Sequence, residues 1–232
     1  MIFDDFLAGY EPGKLEEVRK VQTVGTDFSD LMEKFEQMLD SDDGYSLDEM
    51  WQLVRHNPYL SEVLTPAEIN YFLQATQQHE SHKNYYNNTG VILSRLIQNS
   101  YCAGYNDFML NTKNISRTDD LGTLLIGTED CPLSITVQGN ITNECGNRAE
   151  YSLFTLNGTI GARCGLKAKH STFTYNGAVG DFCGWEAENC TFKTPLRENL
   201  RKMRGSISIN KGNTLIYIDS GREVRIDLEP IC

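Results

Sequence analysis

Three cysteines stand at equal intervals in this chain: Cys145, Cys164 and Cys183, each nineteen residues from the next. Thiolates brought within reach of one another can hold zinc or an iron–sulfur cluster. If the interval is structural, however, stacking points all three the same way, and small buried thiols are ordinary core filler. The expectation is a packed thiol ladder without metal. His79 and His82 flank Glu80 and could share one helical face, but two ligands are too few and HExxH spacing is lacking. With polar Gln77, Gln78 and Lys83 around them, they read as an exposed helix end. Asp40, Asp42, Asp43 and Glu49 lack the alternating order of a calcium loop and read as a solvated linker. No GxSxG turn, phosphate-binding loop, dinucleotide fingerprint or kinase signature occurs. The sequence thus assigns no catalytic, cofactor-binding or metal-binding residue.

The interval belongs to more than the cysteines. Setting 153–171 against 172–190 gives eight identities in nineteen positions: Phe154/Phe173, Thr155/Thr174, Asn157/Asn176, Gly158/Gly177, Gly161/Gly180, Cys164/Cys183, Gly165/Gly184 and Ala168/Ala187. An earlier copy is in register at Ile135, Gly139, Ile141, Cys145, Gly146 and Ala149, and Phe192 begins a fourth. A period of this length is the mark of a solenoid, in which equivalent positions stack at the strand spacing of roughly 4.8 Å. The inward columns are then Ile135/Phe154/Phe173/Phe192, Ile141/Ile160/Val179, the three cysteines, and Ala149/Ala168/Ala187. Asn157 over Asn176 predicts a side-chain amide ladder. The pairs Gly158 with Gly161 and Gly177 with Gly180 predict positive φ or tight turns.

These glycines carry a resemblance. Gly158 to Gly165 (GTIGARCG) and Gly177 to Gly184 (GAVGDFCG) resemble the GXGXG right-handed β-helix, the C-terminal domain of the glutamate synthase large subunit and the C subunit of formylmethanofuran dehydrogenase. The resemblance covers about residues 133–194. It departs where that family has a Met and a Gly pair; Ala168 or Ala187 stands there, followed by His170 with Ser171 or Asn189 with Cys190. The resemblance implies a structural packing module that bears no catalytic residue.

Elements on either side must position and close such a stack. Apolar residues at helical spacing, as in Phe28, Leu31, Met32, Phe35 and Met38, predict helices near 14–22, 28–40, 46–55, 66–80 and 88–102. Capping boxes at Ser46 with Glu49 and Thr65 with Glu68, the latter with Pro66, mark two starts. After Pro195, the run Leu196 to Met203 reads as a short basic helix ended by Gly205, and Thr214 to Asp219 with Arg222 to Leu228 as a hairpin. The predicted fold is α+β: an acidic helical domain over 1–105, a right-handed parallel β-helix over 106–194, and a helix-plus-hairpin cap over 195–232.

Of the net charge of -11, residues 1–50 hold -10, with 14 acids against 4 bases. No basic patch suits a phosphate backbone, so nucleic acid is not an expected partner. No apolar run could span a bilayer, and MIFDDFLAGYEPGK is acidic where a signal peptide needs positive charge. A cytoplasmic protein with reduced thiols is expected, since seven cysteines without CxxC pairs give no disulfide framework. Two further columns, Glu144/Arg163/Phe182 and Asn147/Leu166/Trp185, end in aromatics. Phe182 and Trp185 are thus a candidate contact surface, with Leu196 to Met203 the expected intramolecular cover. The function expected is a non-enzymatic structural or adaptor protein with a protein partner. The alternative, from the resemblance alone, is an accessory subunit of a redox or amidotransferase complex.

Overall fold

The computed structural model describes residues 28–40, 47–56, 58–207 and 211–227. Among these, the front contributes four helices: α1 (Ser29–Leu39), α2 (Leu47–His56), α3 (Pro66–Thr76), which tightens into a 3-10 turn at Gln77–His79, and α4 (Tyr85–Cys102). The expected helix at 14–22 and the Ser46 cap lie outside the described residues. The second capping box forms as read: the Thr65 hydroxyl accepts from the Glu68 amide at 3.3 Å and the Glu68 carboxylate from the Thr65 amide at 2.8 Å. Each half satisfies a donor that the first helical turn leaves orphaned.

Behind the helices runs one seven-stranded sheet in sequential order: β1 (Asp107–Asn111), β2 (Leu133–Gln138), β3 (Ser152–Asn157), β4 (Thr172–Tyr175), β5 (Thr191–Thr194), β6 (Thr214–Asp219) and β7 (Arg222–Ile226). All neighbours pair in parallel except β6 with β7, which form the antiparallel hairpin. Helix α5 (Arg197–Arg204) precedes that hairpin and stops at Gly205. The fold is therefore α+β, with a mostly parallel sheet.

The register matches the sequence period. Ile135 lies opposite Phe154, Phe154 opposite Phe173 and Phe173 opposite Phe192, nineteen residues apart each time. Two further lines of parallel bridges keep the same interval: Ile141, Ile160 and Val179, and Glu150, Lys169 and Glu188. All four inward columns are buried. Phe154 and Phe173 stack at 4.8 Å with their planes 1° apart, and Phe192 follows at 5.5 Å. Such stacking adds about 1 kcal/mol per pair to the area buried. The Asn176 amide donates to Asn157 Oδ1 at 2.6 Å, so the predicted ladder forms.

The glycines act differently from expectation. Gly158, Gly161, Gly177 and Gly180 do not take positive φ. A Cβ on Gly161 would run into the carbonyl of Thr142 in the preceding unit, and one on Gly177 into that of Gly158. Their requirement is close backbone approach between stacked units. Positive φ falls instead at three alternating positions of one turn: Glu144, Gly146 and Arg148, then Arg163, Gly165 and Lys167, then Phe182, Gly184 and Glu186. The same turn appears once earlier, at Asp120, Gly122 and Leu124, twenty-four residues before its counterpart. The alternation sends successive amides in opposite directions. Glu144 N–H donates forward to Ala162 and Gly146 N–H back to Leu121; Arg148 N–H goes forward to Leu166 and Glu150 N–H back to Leu125.

Both ends of the stack are closed by side chains that imitate a further unit. Asn70 and Gln74 of α3 accept from the amide and donate to the carbonyl of Asn111. Gln98 of α4 does the same for Ile126, at 2.8 and 3.1 Å. At the far end Asn199 of α5 takes the Val179 amide and the Gly177 carbonyl, and Asn213 the Cys190 amide and the Ala187 carbonyl. Helix α4 comes this close because residue 90 is glycine; a Cβ there would strike the Asp119 carbonyl.

Deleting Thr172–Cys190 removes one whole unit and hands Gly158 and Ile160 to Asn199 in place of Gly177 and Val179. The shortened chain is expected to unfold in one cooperative transition, whereas deleting about ten of those residues should abolish it. Calorimetry of the two variants checks this.

Candidate functional site

Turns that repeat in register align their outward side chains as well as their cores. Positions with positive φ place Asp120, Glu144, Arg163 and Phe182 in one outward row; the residues just before them, Asp119, Asn143, Ala162 and Asp181, form a second. Between the two rows lies a pocket of about 480 Å³, with Asn87 of α4 closing one end.

Four carboxylates and one guanidinium meet there, and their partners differ. Asp119 is fully engaged: Arg117 donates to it at 2.7 and 3.1 Å, and the Asn143 backbone amide at 3.0 Å. Glu144 holds Arg163 at 2.8 Å and accepts from Asn147 at 3.0 Å. Asp181 is exposed and has no partner among the described residues. Asp120 is only 6% exposed, and its carboxylate receives a single long hydrogen bond, 3.4 Å from the Thr123 hydroxyl. Burial first, then the neighbouring Glu144 and Asp119 carboxylates, push the Asp120 acid up to about 7.

Beside the pocket, Phe182 and Trp185 pack edge to face at 5.4 Å and remain 53% and 40% exposed. The expected cover is absent: α5 lies elsewhere, over the inner backbone of the last turn. Lys202 Nζ donates to the Val179 carbonyl and Ser206 Oγ to that of Cys183, both at 2.7 Å. The unsatisfied carbonyls of a terminal unit cost more than an exposed ring, so the segment serves them first.

Cys145, Cys164 and Cys183 form a buried column in which burial pushes the Cys164 and Cys183 thiols well up. Cys183 Sγ donates to the Gly161 and Gly180 carbonyls, so these groups pack as neutral thiols. Among the described residues no group of three or more His, Cys, Asp or Glu could hold a metal ion. His79 and His82 are half-buried rather than at an exposed helix end: each turns to a carboxylate, Glu36 in α1 and Asp40 just after it, at 3.3 Å. The repeat glycines set the spacing of the stack and do not line this pocket.

Sequence reading found the Glu144/Arg163/Phe182 column but missed Asp119, Asp120 and Asp181. Comparing Asp119–Gly127 (DDLGTLLIG) with Asn143–Tyr151 (NECGNRAEY) would have added one unit. The segment from Gly127 to Pro132 stretches that interval to twenty-four and hid it.

Asp120 gives a pH-dependent prediction. Its folded pKa lies above its unfolded one, so its contribution to stability is full below about pH 4 and is lost as pH rises through about 7, a gap on the order of 4 kcal/mol. Asp120→Asn keeps shape and tolerates positive φ, and should raise Tm at pH 8 while changing it little at pH 4. Equal shifts at both pH values would contradict the assignment. Cys164→Ala should cost about 1 kcal/mol or somewhat more from the cavity left behind, measured by denaturant unfolding.

Comparison of the chain with protein-family models, with curated proteins and with solved structures finds no match.

Proposed function

We propose that this chain is a non-enzymatic adaptor in which a short right-handed β-helix of nineteen-residue coils presents an interaction surface built on Phe182 and Trp185. The β-helix reading is supported by parallel pairing at a constant interval along three lines and by unbroken inward columns. Right-handed winding follows from the strong preference of parallel crossovers for that hand. So read, the stack resembles the GXGXG family, with its packing role. Six described cysteines are free thiols, which suits a cytoplasmic setting. Among the described residues no helix is long and apolar enough to cross a membrane.

The observation that carries the adaptor reading is the exposure of two neighbouring aromatics on a rigid, hydrogen-bonded turn. Aromatic rings preorganised at low entropic cost are the usual anchors of protein interfaces. Several of the outward residues along this face are tied in cross-unit ion pairs, such as Lys167 with Glu186 at 3.3 Å and Lys169 with Glu188 at 3.7 Å. The aromatic pair interrupts that pattern.

A photo-crosslinking residue at position 185 is expected to give one discrete, stoichiometric adduct in cells that natively make the protein. The same residue at Leu153, exposed on a strand, should give none. Absence of an adduct from position 185, or equal labelling from both positions, would sink the adaptor reading. An adduct with a chain carrying flavin or an iron–sulfur cluster would instead favour an accessory subunit of a redox or amidotransferase complex.

A further inference from the structure

The pocket beside the aromatic pair has a composition that the adaptor reading does not use. Its two cations in reach, Arg117 and Arg163, are committed to Asp119 and Glu144. That leaves Asp120 and Asp181 without a counter-charge. Asp120 is the more telling of the two. It is more than nine-tenths buried and lines the pocket, its Oδ1 receives one 3.4 Å bond, and its Oδ2 receives none from the described residues. Buried carboxylates ordinarily find stronger partners, because leaving one unmatched costs the desolvation of a charge.

Phe182 belongs to both features: its ring pairs with Trp185, and it lines the pocket with Asp181. Carboxylates flanked by an aromatic face are the surroundings in which a guanidinium or ammonium is held, by ion pairing from the acids and by the ring quadrupole. With four carboxylates against one guanidinium, the pocket's own lining attracts a basic group.

We infer that this pocket receives the cationic side chain, arginine or lysine, of a protein partner whose adjoining apolar residue lies across Phe182 and Trp185. The inference rests on the adaptor reading and adds the chemistry of the partner. A protein is the source because the aromatic pair extends the contact beyond the pocket, and a free amine would leave that pair in water. Binding draws Asp120 toward its ionised form, since a cation offsets the burial and the neighbouring carboxylates that together hold its proton.

The test uses the full chain and capped peptides that differ only in a central residue flanked by leucines: arginine, norleucine or glutamate. Amide NMR shifts at about 1 mM peptide read the site. The arginine peptide is expected to move the amides of Asp120, Asp181 and Phe182. Asp120→Asn and Asp181→Asn are each expected to weaken it about tenfold, and added salt to weaken it further. Tm measured on both variants shows that they remain folded.

Equal binding of the norleucine peptide would overturn the cationic occupant while leaving the aromatic surface standing. N-acetylarginine amide binding as tightly as the peptide would overturn the protein source in favour of a small amine. Binding of the arginine peptide that survives both substitutions, or no shift with any peptide, overturns the inference; the crosslink from position 185 judges the adaptor reading separately.

Discussion

The backbone amides and carbonyls of the stacked region that are not paired within their own turn need a partner in the unit before or after, and this demand shapes the rest of the protein. Between units the demand is met by strands and, less obviously, by turns in which donors alternate forward and back. That alternation requires left-handed backbone at non-glycine residues such as Arg163, Lys167 and Glu186, at roughly 1–2 kcal/mol each. Hydrogen bonds to both neighbours hold those residues where local preference alone would not. At the ends there is no further unit, and Gln98, Asn199 and Asn213 supply a carboxamide in its place. A primary amide carries a donor and an acceptor side by side, as a peptide group does, which is why the caps are Asn and Gln.

The same turn geometry makes the pocket. The first left-handed residue of each turn carries its side chain to the pocket, and four such turns align four side chains that are otherwise distant in sequence. Since these positions line the pocket and not the apolar core, the core places no demand on their type. Asp120, Glu144, Arg163 and Phe182 differ completely while the glycine two residues on is kept in all four turns. Function can vary along this row without disturbing the fold.

How much could be read from the sequence follows from that division. The period, the inward columns, the Asn157/Asn176 ladder and the closing hairpin were legible because identical neighbours must pack on one another, which imposes identity on the chain. The helices were legible through apolar spacing and the Thr65/Glu68 box. The turn conformation was not: Arg163 and Lys167 carry no sign of positive φ, and the glycines that do suggest it, Gly158 and Gly161, serve close approach. Nor was the pocket, because its members answer to geometry outside the core and one of them, Asn87, comes from a helix with no place in the repeat. Nor was the position of α5: the need to cap the stack is legible, but it draws the segment onto the orphaned carbonyls of Val179 and Cys183 and not onto Phe182 and Trp185.

Parallel, in-register stacking of like segments is also the geometry of fibrils, in which each edge recruits another copy without limit. The final hairpin bears on that hazard. By reversing direction, β7 ends the parallel array with a strand that no nineteen-residue unit matches in orientation. Its outer residues Arg222, Glu223, Arg225 and the following Asp227 are exposed, charged and of mixed sign. An edge of this kind resists pairing with its own kind. A reversed, charged edge is thus a poor template for a further copy, and a chain cut before Ser220 would present the bare β6 edge in its place.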